Sequence, residues 1–198
     1  MGLTEEYTDG QTPIDEDELL DLKLGHITRM SELNEAEQLN IQQAVEWVMR
    51  KAMTKQMVLT EEFVKALHVR MYGDVWKWAG QFRASNKNIG VEYQEIGVHL
   101  RQLLDDTVYW IDHSTYPPDE IAIRFKHRLV SIHCFPNGNG RHSRLMADII
   151  INKLFGLPMF SWGTASPDKG GVVRQDYLAA VKKADEGDVL LLIKFARS

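Results

Sequence analysis

The sequence predicts an all-α domain with one small β-hairpin. Three observations lead there. Apolar residues recur at three- and four-residue spacing through most of the chain beyond about residue 34. Prolines and glycines punctuate those stretches, at Pro117-Pro118, at Gly138-Asn139-Gly140 and between Gly156 and Gly171. Only Ser85-Asn86-Lys87-Asn88-Ile89-Gly90-Val91 combines turn residues with short β-prone flanks, so the hairpin is expected there.

The chain of 198 residues divides into an acidic N-terminal arm, residues 1–33, and a helical domain, residues 34–198. In the arm, Thr12-Pro13 followed by Ile14-Asp15-Glu16-Asp17-Glu18 can open a short helix, since proline and acids suit a first turn. Asn34-Glu35-Ala36-Glu37 resembles a capping box, and the helix it opens runs to about Met53 with Leu39, Ala44, Val45, Trp47 and Val48 inward. Thr60-Glu61-Glu62 caps the next, with Phe63, Leu67 and Met71 at helical spacing. Trp76 and Trp78 read as core anchors. Periodicity returns from Ile96 to Asp112, then from the Pro117-Pro118 break through Ile121, Phe125, Leu129 and Ile132 to an end near His133. Leu145, Ile149 and Leu154 mark a helix after the glycines, and two closing helices follow at Arg174–Asp185 and Asp188–Ala196.

Composition narrows the function classes. A formal charge of −5 gives no field that would draw nucleic acid, so a direct nucleic-acid partner is not expected. One cysteine, Cys134, rules out a disulfide framework and a cysteine-based zinc site. There is no long apolar run, and the acidic start lacks a signal peptide's charged and apolar regions. The expectation is a cytoplasmic protein with no membrane partner.

The chemistry gathers between Ser131 and Arg144. Asn137-Gly138-Asn139-Gly140 could be an ordinary left-handed turn. It also feeds a helix N-terminus, where consecutive N–H groups converge on one concavity that suits an anion. Arg141 and Arg144 follow on one face of the first turn, where the helix dipole disfavours cations unless an anion stands in front. Phosphate binding and a solvated helix end both remain open on the residues alone. His133 either caps the preceding helix or acts as a general base. No lysine follows the glycines, so this is not a P-loop. His142 lacks a second ligand at zinc spacing and reads as a surface residue. Cys134 reads as buried and inert rather than as a nucleophile.

His133 to Arg144 closely resembles the motif of the Fic family, His-x-Phe-x-acidic-Gly-Asn-Gly-Arg-x-x-Arg. Trp76–Arg83, Asn86–Gly90 and Asp185–Asp188 are similar to that family's flap region and final helices. Thr12–Asp15 with His26–Arg29 resembles the bacterial subgroup called mobile mystery protein B. The resemblance implies a Fic-type domain over residues 34–198 that moves AMP from ATP to a Ser, Thr or Tyr hydroxyl of a target protein. By position, His133 would be the base and Phe135 would fix the loop. The N–H groups at Gly138, Asn139 and Gly140 would hold phosphate, with Arg141 clamping it and Arg144 taking the γ-phosphate. Ile89, Gly90 and Val91 would form a flap that docks the target by strand addition. Mg²⁺ would bridge the phosphates, and Tyr177 on the late helix is a candidate for lining an adenine pocket.

Two departures stand out. Cys134 replaces a common proline. Asn137 replaces the acidic residue that ligates the metal, and offers an oxygen without charge. The family's inhibitory pattern, whose glutamate pairs with the second arginine, is matched only in part at Thr12–Glu16 and Thr28–Glu32. Glu16 and Glu18 of the arm are the candidates to cover Arg144, and a separate antitoxin-like partner, as in toxin–antitoxin pairs, is the other route. The alternatives to AMP transfer are a catalytically weak nucleotide- or protein-binding module, or phosphoryl transfer of the Doc type. That branch lacks a glycine where Gly140 stands.

Overall fold

The first long helix, α1, spans Met30–Arg50. It begins upstream of the box read at Asn34–Glu37. Glu32 turns its carboxylate back onto the Thr28 and Arg29 N–H groups, at 3.0 and 3.3 Å, and sets the start there. Its buried face is Met30, Leu33, Glu37, Asn40, Ala44 and Val48, while Leu39, expected inside, is exposed. The two polar residues in that stripe have structural partners. Asn40 Nδ2 donates to the Arg70 carbonyl at 3.1 Å, and its Oδ1 accepts the Asp74 N–H at 3.1 Å. Asn40 therefore fastens α1 to the end of the helix at Glu61–Tyr72.

This computed structural model describes residues 19–163 and 172–198. A short helix α2, Lys55–Val58, leads to α3, Glu61–Tyr72. Thr60 caps α3 as expected, its hydroxyl accepting the Phe63 N–H at 3.1 Å. Helix α4 is Ile96–Asp112, and α5 is Pro118–Ile132 with proline in its first turn. Helix α6, Asn139–Ile149, continues into a wider π turn at Ile150–Leu154. The chain closes with α7, Val172–Asp185, and α8, Leu190–Arg197. Helix α5 is central: α4, α6 and α8 all pack on it, with α3 on α6, α1 on α3 and α7 on α8. Ile121, Phe125 and Leu129 fill its core faces, and Trp76 and Trp78 are buried anchors as expected.

The all-α expectation holds, and the expected hairpin does not form: no residue of Ser85–Val91 is in a strand. Side chains take the bonds a ladder would need. The Arg83 guanidinium donates to the carbonyls of Ser85, at 2.8 Å, and Val91. Asn86 accepts the Tyr93 N–H at 3.0 Å and donates to the Glu92 carboxylate. The result is an open loop closed at its base. The short arm helix, Glu16 and Glu18 fall outside the described residues. No helix among the described residues is long and apolar enough to cross a membrane.

Candidate active site

The link from α5 to α6 is fixed residue by residue. His133 ends α5 in a left-handed conformation, φ 56° and ψ 61°. That costs about 1 kcal/mol for a residue with a Cβ. Arg83 holds it there: Nε donates to the His133 carbonyl at 2.7 Å, and the Arg83 N–H donates to the Cys134 carbonyl at 3.0 Å. A cation at a helix C-terminus is itself favourable. Next, the Asn139 side chain spans Phe135, accepting its N–H at 2.9 Å and donating to its carbonyl at 2.8 Å. Phe135 is fully buried and stacks on His68, ring centres 3.7 Å apart. His68 Nδ1 accepts the Gly80 N–H at 3.0 Å, which puts its proton on Nε2 for the Asn137 carbonyl at 3.1 Å.

Gly138 begins α6 at φ 78°. A Cβ there would lie 2.5 Å from Tyr72 Cζ, and the Tyr72 hydroxyl donates to the Gly138 carbonyl at 3.3 Å. Only glycine fits. The first closed bond of α6 runs from the His142 N–H to the Gly138 carbonyl, 2.9 Å, and the N–H groups ahead of it have no partner within the helix. Of the three N–H groups expected to hold phosphate, that of Gly138 is engaged by Asn137 Oδ1 at 2.6 Å. Those of Asn139 and Gly140 belong to the first turn.

The two arginines diverge in their surroundings. Arg141 Nη1 pairs with Glu37 Oε2 at 2.7 Å, and the other oxygen of Glu37 accepts the Trp76 indole N–H at 2.7 Å. Arg144 is buried, with its guanidinium carbon 5.6 Å from the centre of the Tyr177 ring. Tyr177 is buried as well and also faces Lys126.

His133 is 3% exposed, and neither ring nitrogen has a hydrogen-bond partner. Burial, then the charges of Arg83 and Lys87, lower its pKa to about 4. The ring is thus neutral at physiological pH, the state a proton acceptor needs. Gly90, at φ 102°, lies against it: a Cβ there would be 2.7 Å from His133 Cβ. Val91 donates its N–H to the Ile132 carbonyl at 3.4 Å, while Ile89 points outward. Gly90 and Val91 therefore lie against the His133 end of α5.

Cys134 is fully buried and its thiol is pushed up to about 12, which makes it inert as expected. His142, read as a surface residue, is buried instead. Its Nε2 donates to the Val64 carbonyl at 3.0 Å, tying α6 to α3, and burial lowers its pKa to about 4. For a metal, the loop supplies one neutral oxygen from Asn137. No cluster of three acidic, histidine or cysteine ligands occurs among the described residues. Such a set suits Mg²⁺ only when phosphates and water complete its shell.

The sequence reading gave no role to Glu37, His68, Arg83 or Lys126. Glu37 was visible, but as the end of a capping box. Arg83 was visible only as the end of the Trp76–Arg83 stretch, and His68 and Lys126 carried no signal beyond being polar residues among apolar ones.

Residues 58–151 match the model of the Fic/DOC family. Among solved structures, Fic-1 (residues 134–508) from C. elegans is 22% identical with a TM-score of 0.66, over 88% of this chain and 51% of that one. The N-terminal Fic domain of a Bartonella effector protein from Bartonella sp. AR 15-3 is 14% identical with a TM-score of 0.67, over 89% and 83% of the two chains. BepC from Bartonella tribocorum, with bound AMPPNP, is 15% identical with a TM-score of 0.63, over 88% and 89%. The chain spans about half the length of the C. elegans protein solved. These likenesses share the helical fold, and the family match falls on the central loop and its flanks: over residues 58–151 the chain is similar to the Fic/DOC family.

Proposed function

We propose that the chain transfers AMP from ATP to a hydroxyl of a target protein. One observation carries this reading. A neutral, unpartnered imidazole stands on one side of a glycine-locked helix N-terminus, and two arginines stand on the other. His133 takes the proton of the target hydroxyl. The freed oxygen attacks the α-phosphorus, the bond from that phosphorus to the bridging oxygen breaks, and pyrophosphate leaves. The first N–H groups of α6 and the Arg141 guanidinium stabilise the charge that develops on the phosphoryl oxygens. Mg²⁺, held through Asn137 and the phosphates, would neutralise charge on the leaving group. An extended target segment runs along Ile89–Val91, and its entry lifts the cover from His133.

Asn137 favours a second reading, a nucleotide-binding module with little turnover, because its side chain already bonds the Gly138 N–H. The subgroup named mobile mystery protein B is our finer placement, on the arm residues Thr12–Asp15 and His26–Arg29.

The test is a lysate incubated with ATP labelled on the α- or the γ-phosphate, beside His133→Ala. Protein label from the α-position, lost in the variant, is expected. Label from γ alone would establish phosphoryl transfer, and ATP binding without any label would establish the module.

A further inference from the structure

Helix α5 buries a lysine behind the phosphate cradle. Lys126 has no exposed surface, and among the described residues its Nζ pairs with no carboxylate; the Tyr177 hydroxyl is its polar neighbour. An ammonium carries three donors, and removing it from water is costly unless something pairs with it. Lysines at such positions ordinarily extend to solvent or meet a carboxylate. Among the described residues Lys126 does neither. Its Nζ lies 4.7 Å from the centre of the Tyr177 ring, the ring that Arg144 approaches at 5.6 Å. Three helices thus bring two cations and a phenol to one buried spot. Arg144 belongs to the same helical turns whose N-terminus forms the cradle. The charges are felt there: burial alone would raise the Tyr177 phenol, yet Lys126 and Arg144 hold it below its usual value. Burial pulls Lys126 down in turn, against the opposing pull of the Tyr177 phenol, and the nearby Arg144 charge adds a smaller lowering. An anion placed between them would relieve both effects.

We infer that Lys126 is a specificity-determining residue that, with Arg144 and the Tyr177 hydroxyl, binds the terminal phosphate of a nucleoside triphosphate. This rests on the nucleotide reading of the loop. A terminal phosphate offers three acceptor oxygens and the largest charge on the nucleotide, which matches an ammonium, a guanidinium and a hydroxyl. A diphosphate stops short of Lys126 and leaves it without an anion. The site therefore selects triphosphates, and Tyr177 lies at the phosphate end of the nucleotide rather than against its base. Lys126 is outside the twelve-residue motif, seven positions before His133.

The experiment is calorimetric titration of the full chain with AMPPNP and with ADP, for the natural sequence and for Lys126→Met. Methionine fills the same slot without charge. The substitution is expected to weaken AMPPNP about tenfold or more, the worth of a charged hydrogen bond, and to leave ADP within about twofold. Melting temperature without nucleotide should hold or rise. Equal loss for both nucleotides, or loss for neither, overturns the inference and leaves the nucleotide reading intact. No binding of either nucleotide by the natural sequence removes both. If Lys126→Met does not fold, Tyr177→Phe decides the matter. It keeps the ring and should weaken AMPPNP alone, and an unchanged AMPPNP affinity overturns the inference.

Discussion

Glu37 gives the sharpest test of how the arginine side of the loop is built. Its carboxylate is almost fully buried, with one oxygen on the Trp76 indole and the other on Arg141, both at 2.7 Å. Glu37→Gln keeps an oxygen for the indole but sets an amide against the guanidinium. Breaking a buried ion pair costs about 3–5 kcal/mol. The Arg141 side chain is 26% exposed, so water recovers part of that. A charged hydrogen bond is worth about 1.5–3 kcal/mol, and we expect a net loss near the middle of that range, about 2 kcal/mol. For a chain of this size that is a fall in melting temperature of about 4–8 °C. Urea unfolding of Glu37→Gln, Arg141→Gln and the double variant should show a coupling of about 1–3 kcal/mol between the sites. ATP should raise the melting temperature of Glu37→Gln more than that of the natural sequence, because phosphate then replaces the carboxylate as the anion of Arg141. Additive losses, or a loss below about 0.5 kcal/mol, would refute the pairing as a structural element.

Asn137→Asp restores a charged oxygen where a metal would sit and can still accept the Gly138 N–H. It should raise apparent Mg²⁺ affinity and the rate of label transfer, and unchanged magnesium dependence would count against a metal at this position. Acid should destabilise the fold early. His133 and His142 sit near 4 in the folded chain, against about 6.5 unfolded, so the stability they lend is present above 6.5 and lost as pH falls toward 4. Asp148, raised to about 6 mainly by burial, acts oppositely: its contribution is present below about 3.8 and lost as pH rises through 6. The net fall between pH 7 and 5 is about 2–4 kcal/mol, read as a shift in urea midpoint, and a flat midpoint would show that the imidazoles are not held neutral.

Most of the helical frame was legible in the sequence because it rests on apolar spacing and local caps. Thr60, the proline start of α5 and the span Ile96–Asp112 follow from side chains within one turn of the feature they set. Cys134 was legible too, since a lone thiol in an apolar stretch has little else to do. What could not be read depends on polar residues turned inward. A hydropathy pattern passes over Glu37 and Asn40, so it placed Leu39 on the wrong face of α1. His68, His142 and Arg83 are of types usually found at the surface, and only the tertiary fold shows that each satisfies a carbonyl of the loop or its neighbours. The hairpin failed for the same reason. Turn residues announce a reversal, but they do not reveal that an arginine upstream will take the carbonyls a ladder needs.

The grip of Arg83 has a mechanical consequence. Its Nε holds the carbonyl of His133, while separate nitrogens of the same fork hold Ser85 and Val91 in the loop above. The loop and the His133 peptide therefore hang from one rigid planar group by different bonds. Releasing Val91 frees the outer limb of the loop without loosening the peptide that carries the imidazole. The histidine can be unveiled while its backbone stays where the left-handed turn put it.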